Sequence, residues 1–171
     1  ADFFGNAITK NIRREFASTK KIIRPKALPL EGKPANFIGA VGNFNFSVAL
    51  SKDVLKANET SQVQVKISGK GNLKLFELPA VETPAELEMY QPERKERIRV
   101  NASGISGAVT DTYTVVPLFK GKYKIPSISF SYFNPREKKY KTIATEDFFV
   151  NVKEGKELIT VDTSSVRKQE V

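Results

Sequence analysis

The stretch FNFSVAL at residues 44–50 alternates large apolar residues with small or polar ones. Successive side chains of a strand point to opposite sides, so this period of two places the large residues on one face of an extended strand. VQVKI at residues 63–67 repeats the pattern. The two segments predict strands with one buried and one exposed face.

Similar segments continue to residue 153, separated by short polar connections rich in Gly, Pro and Asn. No stretch offers an amphipathic helix of about twelve residues or more. The pattern therefore predicts an all-β fold, an immunoglobulin-like antiparallel β-sandwich over residues 41–153. The strand positions are Leu73, Leu75, Ile98, Val100, Val109, Thr112, Thr114, Val116, Ile128, Phe130, Tyr132, Phe148, Val150 and Val152. The side chains expected between the sheets are Phe46, Val48, Val65, Ile67, Val116 and Phe130.

The segments on either side of the sandwich have a different character. Residues 1–28 place Ile12, Phe16, Ile22 and Ile23 among Lys and Arg, which suits the last strands of a preceding β domain. Prolines in residues 29–40 predict a linker, and residues 154–171 a second linker or tail. We therefore expect the chain to be a piece of a longer protein.

The arm at residues 8–28 has too few apolar residues to form a core alone. Unpaired strands leave backbone groups and apolar faces exposed. In this chain we expect the arm to be mobile, or to pair with a second copy in a strand-exchanged homodimer.

Composition excludes several kinds of chemistry. The chain has no cysteine and no histidine, so thiol nucleophiles, disulfides, thiolate metal sites and imidazole bases are all absent. The net charge is +9, and the basic excess is densest in residues 1–40. The apolar runs are only a few residues long, whereas a spanning helix needs about 20.

The acidic residues could form two kinds of carboxylate site. Four glutamates between residues 86 and 96 could form a paired-carboxylate site, and Glu146-Asp147 could form half of a calcium site. The four glutamates are interleaved with basic residues, which is more typical of a solvated, salt-paired surface. The four are Glu86, Glu88, Glu93 and Glu96. No metal, cofactor or catalytic residue is predicted, and we expect the domain not to be an enzyme.

Two glycine-containing stretches invite a catalytic or phosphate-binding interpretation. The Ser103 to Gly107 stretch lacks the strand-to-helix elbow of a serine nucleophile, and its glycines suit a flexible loop. The Gly69 to Asn72 stretch lacks the longer glycine-lysine motif and the helix of a phosphate-binding loop, so we expect a hairpin turn there.

Two basic clusters, Lys120 to Lys124 and Arg136 to Lys141, each contain a tyrosine and could contact nucleic acid. Prolines at 117, 126 and 135 place both clusters at strand ends, and acidic residues are dispersed through the domain. Solubility or contact with an anionic lipid surface explains the clusters equally well, and no nucleic-acid partner is predicted.

A series of short motifs in fixed order resembles the bacterial BatD oxygen-tolerance family over residues 24–153. The series begins with RPKALP at 24–29, GKP at 32–34 and FIGAVGNF at 37–44. It continues with LKANE at 55–59, GKGNL at 69–73 and LP at 78–79. It ends with DTYTVVP at 111–117, GKY at 121–123, IP at 125–126 and FSYF at 130–133.

The resemblance implies an exported, periplasmic protein with tandem β-sandwich domains, held in the bacterial inner membrane by an anchor outside this chain. It also implies protein partners with von Willebrand factor A-type and TPR folds, encoded in the same operon. The family has no assigned catalytic residues, so none carry over.

We therefore expect a non-catalytic extracytoplasmic interaction or spacer module that docks envelope partners. The alternative is a β-sandwich domain that binds glycans or a lipid surface. Exposed aromatic side chains along one sheet face would favour glycan binding.

Overall fold

The computed structural model describes residues 12–156 and has an all-β, immunoglobulin-like sandwich as its body. No helix occurs among these residues, so none of them form a helix that could cross a membrane. The strands are β1 Phe37–Leu50, β2 Val54–Lys56, β3 Ser61–Gly71, β4 Leu87–Met89, β5 Glu93–Asn101, β6 Gly104–Pro117, β7 Gly121–Ile125, β8 Ser129–Asn134, β9 Lys139–Ala144 and β10 Phe148–Glu154.

The main sheet is built on β6, whose two halves carry different neighbours on one side. β5 pairs with the first half of β6 and β4 with its end, and β3 pairs along the other side of β6. β3 in turn pairs with residues 42–50 of β1. All these pairs are antiparallel, and partner residues across each pair share a face. The alternating burial along β3 and β6 shows that one face of this sheet is buried.

The second layer is dominated by one long hairpin ribbon formed by β7–β8 and β9–β10. Phe148 pairs with Ile125 and Ser129 with Ala144 in the same register, but the ladder is interrupted at Pro126, which has no N–H to donate. Side chains fill the gap: Asp147 accepts from the N–H of Ser127 at 2.8 Å, and Thr145 accepts from the N–H of Ile128 at 3.0 Å.

Asp147 is also paired with Lys124 at 2.7 Å. The hydrogen bond from Lys124, with a second from the backbone of Ser127, holds the pKa of Asp147 below its ordinary value. The stabilisation from these contacts is therefore present above the ordinary carboxyl pKa and is lost as the pH falls through the lowered one.

β1 belongs to both layers. Its first residues pair in parallel with β8, and from Gly42 onward it pairs with β3. Gly39 and Gly42 have φ values of 90° and 157°, which other residues rarely adopt, so glycine suits this change of partner. Asn72 fixes the crossing: its oxygen accepts from the N–H of Val41 at 2.7 Å, and its amide donates to the carbonyl of Gly39 at 2.9 Å.

An aromatic cluster joins the layers. Phe130 of β8 lies with its ring centre 5.7 Å from Phe46, 6.0 Å from Phe44 and 5.8 Å from Tyr132. Phe76 packs on the same group, 5.7 Å from Phe130. Tilted and edge-to-face rings at this spacing add favourable quadrupole contacts to the burial of large apolar area.

Most of the predicted core residues lie where expected. Phe46, Val65, Ile67 and Phe130 are buried, and Val48 is half-buried against the core. The prediction for Val116 is wrong, because β6 buries its odd-numbered positions and Val116 lies on the outer face. The physical reason is Asp111, a charged residue on the core face of β6 that hides the period of two.

The segment between β3 and β4, residues 72–86, contains no strand, contrary to the prediction for Leu73 and Leu75. Leu73 is buried, but Leu75 is 75% exposed. The segment is instead an irregular chain whose Phe76, Leu78 and Val81 side chains are buried in the core.

The N-terminal flank is partly attached to the sandwich. β1 begins at Phe37, so residues 37–40 of the expected linker form its start. Tyr140 donates to the carbonyl of Pro29 at 2.8 Å, and the Asn36 side chain bonds the hydroxyls of Ser129 and Ser131 at 2.9 and 2.7 Å. The linker is therefore held against β8 and β9.

Residues 12–28 form no strand in the described chain, and the side chains of Ile12, Phe16, Ile22 and Ile23 are exposed, Phe16 at 90%. Residues 1–11, like 157–171, lie outside the described range. The assignment of 1–28 to a preceding domain, and the pairing of the arm with a second copy, stay predictions.

We predict that Phe130→Ala lowers the free energy of unfolding by about 3–5 kcal/mol, because it empties the centre of the aromatic cluster. Phe149→Ala is the matched control, since that ring is 42% exposed. It should cost about 1 kcal/mol or less. Urea unfolding followed by fluorescence measures both values. Equal losses in the two variants would contradict the assigned core.

Candidate interaction surface

A half-buried ion pair joins the edge strand β5 to β6. Arg94 donates through Nε and Nη2 to the two carboxylate oxygens of Asp111, both at 2.8 Å. The Asp111 side chain is 2% exposed, whereas the Arg94 side chain is 36% exposed and reaches inward from the edge. This paired, bidentate geometry is what allows a carboxylate to lie on the core face of a sheet.

Arg94 also contacts Glu77 of the irregular segment between β3 and β4. One guanidinium therefore links β5, β6 and this segment. The hydrogen bonds that Arg94 donates to Asp111, together with those to Glu77, raise the pKa of Arg94 above its ordinary value, and the group is always charged. Burial, with Asp111 nearby, raises the pKa of Tyr113.

The pair fixes the direction of every other side chain on β5. Since Arg94 points to the core side, Lys95, Arg97 and Arg99 point to the outer face of the main sheet. Lys66 and Lys70 of β3 lie on that face too. We call this surface the basic face. It consists of three cross-strand rows, each with one residue from β1, β3, β6 and β5.

The rows of the basic face carry five cations and no acidic residue. The rows are Asn43, Lys70, Ser106 and Arg99; Asn45, Ser68, Ala108 and Arg97; and Ser47, Lys66, Thr110 and Lys95. Their one apolar member is Ala108. Lys95 is paired with Glu93 of the next row at 3.1 Å, whereas the other four cations have no ion-pair partner among the described residues.

A cleft of about 710 Å³ lies at one end of the basic face, between β1, β3 and the turn from β8 to β9. Lys70 and Arg136 contribute positive charge to it, and Asn43 and Asn45 contribute amides. Asn134 also lines it, but its side chain bonds the backbone of Arg136 and Glu137 within the turn. The cleft thus extends the cationic surface beyond the rows.

The outer side of the sheet β2–β10–β7 has a different composition. Lys122 lies over the ring of Phe149 at 4.6 Å, and Val54 of the neighbouring strand is 43% exposed. Lys124 and Lys56 on this side are paired with Asp147 and Glu154. This side is therefore mixed in charge.

The glutamates singled out in the sequence do not converge. Glu93 pairs with Lys95 on β5, and Glu88 lies on β4 beside Tyr90, whose pKa it raises through a hydrogen bond. In the described chain no group of three acidic side chains could hold a metal ion. Asp147 of the suggested calcium half-site is engaged by Lys124 and Ser127.

Both glycine-containing stretches belong to the main sheet. The hairpin turn expected at 69–72 is wrong, because β3 continues through Gly71 and Gly69 pairs with Gly107 of β6. Glycine at position 69 allows β1 and β3 to stay paired here, because an added Cβ at Gly69 would collide with the carbonyl of Asn43. The flexible loop expected at Ser103 to Gly107 is wrong as well, because β6 begins at Gly104 and pairs with β5 from there. Ser103 lies in the turn before it, bonded to Asn101, and Ser106 lies on the basic face.

The two basic clusters of the sequence lie away from the basic face. Lys120 to Lys124 includes β7, and Arg136 to Lys141 covers the β8–β9 turn and the start of β9, where Lys141 pairs with Glu137 at 2.6 Å. Of these residues, Arg136 alone reaches the cleft. Sequence reasoning missed the basic face, because its cations come from separate segments and the register brings them together.

The fold and this surface define a class of protein: an immunoglobulin-like β-sandwich module with a cationic sheet face. A family model described as the BatD DUF11-like domain matches residues 48–152, more than half of the chain. The chain therefore belongs to the BatD family, as its motifs predicted. No curated protein and no solved structure matches it.

We predict that Arg94→Met lowers the free energy of unfolding by about 2–4 kcal/mol, because the Asp111 carboxylate then stays buried without a partner. The figure is below that for a fully buried pair because Arg94 is partly exposed. The double variant Arg94→Met/Asp111→Leu should recover most of the loss, since apolar residues replace buried pairs well. Additive losses in denaturant unfolding would show that the pair does not anchor β5.

Proposed function

We propose that this BatD-type, aerotolerance-associated module is a non-catalytic extracytoplasmic spacer that also docks envelope partners. In the full-length protein it is periplasmic and is held to the inner membrane by an anchor outside this chain. The partners that family resemblance favours are the von Willebrand factor A-type and TPR-containing proteins of the same operon.

One observation carries the spacer role: the chain joins the sandwich at one end of the ribbon and leaves it at the other. Pro29 and Phe37 lie beside Tyr140, close to the turn between β8 and β9. Glu154 ends β10, where Val152 pairs with Gly121 at the far end of the ribbon. Such a module holds the segments attached to its two ends apart by its own length.

The attachment of the linker supports the same role. Pro29, Asn36 and Phe37 all contact β8 or β9, by hydrogen bonds or by the Phe37–Tyr140 ring contact at 5.0 Å. A linker held at several points transmits orientation, whereas a free linker does not. The exposed apolar residues of the arm, such as Phe16, are then available to a neighbouring β domain or to a second copy of the chain.

A distance measurement tests the spacer role. Because the chain has no cysteine, spin labels can be attached uniquely through Ala27→Cys and Lys153→Cys. We predict a narrow pulsed-EPR distance distribution centred at roughly 40 Å, from about 3.3 Å per residue along the ribbon. A broad distribution, or one centred at roughly half that distance or less, would contradict the proposal.

Tyr140→Phe in the labelled chain removes the hydroxyl that bonds Pro29 and should broaden the distribution without changing the melting temperature. Tyr90→Phe is the matched control: that tyrosine is 51% exposed and follows β4, at the opposite end of the strand order from β9, so its substitution should leave the distribution unchanged.

Docking is tested by purifying the full-length protein from its own membranes. We expect the von Willebrand factor A-type or TPR-containing operon proteins to co-purify in stoichiometric amounts. Purification without either of them, under conditions that keep other envelope complexes intact, would contradict this part of the proposal.

The second candidate is a domain that binds a lipid surface. The five cations of the basic face favour it over glycan binding, because glycan recognition uses aromatic platforms and the rows carry Asn, Ser, Thr and Ala between the cations.

A further inference from the structure

We propose that the basic face binds the anionic headgroups of a lipid bilayer, so that the main sheet lies against the membrane surface. The inference names the ligand and the site for the lipid-binding candidate. It does not depend on the spacer role, because a module can separate its neighbours whether or not one of its faces touches lipid.

Positive charge is concentrated on the basic face. Lys66, Lys70, Lys95, Arg97 and Arg99 are all exposed, and they lie in adjacent rows with no acidic residue between them. Four of the five have no ion-pair partner among the described residues, so their charge is not neutralised within the domain. Clustered cations of this kind are attracted to a surface of opposite charge over roughly a Debye length, about 10 Å at 0.1 M salt.

The composition of the basic face differs from that of a protein–protein interface. Protein–protein interfaces have a core enriched in aromatic residues, Met and Arg and depleted in Lys. The basic face has no aromatic residue and no Met, its one apolar side chain is Ala108, and its two arginines lie among three lysines at twelve positions. It therefore offers no aromatic or large apolar anchor for a pocket on a protein partner, whereas a layer of phosphate headgroups needs only the cations.

The basic face is a broad sheet surface. The face is formed by four paired strands in continuous register, and its rows cover roughly 14 Å by 14 Å. A broad sheet surface suits a bilayer better than the groove of a nucleic-acid duplex, which is entered by a helix or a narrow ribbon. The cleft with Lys70 and Arg136 continues the positive surface at one end and can accept a single headgroup.

Vesicle binding of the whole chain tests the proposal. Vesicles of phosphatidylcholine with about 30% phosphatidylglycerol, to give a charged membrane surface, are compared with pure phosphatidylcholine at low salt. We expect binding to the anionic vesicles alone, and its loss at about 1 M salt. The triple variant Lys70→Gln/Arg97→Gln/Arg99→Gln should bind about 100-fold more weakly, at roughly fivefold per charge.

The matched control removes the same charge from the other layer, with Lys122→Gln/Lys139→Gln/Lys153→Gln. It should weaken binding less than about fivefold, with both triple variants melting at the wild-type temperature. Equal losses in the two variants would overturn the proposal, because binding would then follow net charge. So would failure to bind the anionic vesicles, or binding to duplex DNA or to an acidic protein such as polyglutamate-tagged albumin that exceeds vesicle binding.

Discussion

The bidentate ion pair between Arg94 and Asp111 is the contact on which the basic face of the domain depends. A strand has a strict period of two, so holding Arg94 on the core side turns Lys95, Arg97 and Arg99 to the outside. A slip of β5 by one residue would instead bring three cations toward the core. The buried charge therefore selects the register, and the register creates the basic face.

The same pair explains why the fold could be predicted from the sequence while part of its detail could not. The alternation in 44–50 and 63–67 has no interruption, and there the predicted faces are confirmed. In β6 a carboxylate occupies a core position, so the pattern favoured Val116 in place of Val115. Nothing in the local sequence around Asp111 indicates its partner Arg94, which lies seventeen positions earlier on β5.

The glycines at 69 and 71 misled in a similar way. Glycine-rich stretches usually mark turns, but here they let adjacent strands continue past one another where a side chain would collide.

The basic face could not be predicted from the sequence for a different reason. Lys66 and Lys70 are not a cluster in the sequence, and they meet Arg97 and Arg99 through the pairing of three strands. The local clusters that the sequence did show lie mainly elsewhere.

The central claim is that the pairing of β5 with β6 directs one cationic face toward anionic lipid. Paramagnetic broadening of backbone amide signals, by nitroxide-labelled headgroups in phosphatidylglycerol-containing nanodiscs, tests it most directly. The account predicts that broadening is strongest in the three rows of the basic face and weak along β7–β10, and that it disappears with uncharged lipid. Broadening centred on the ribbon, or spread evenly over the domain, would contradict it.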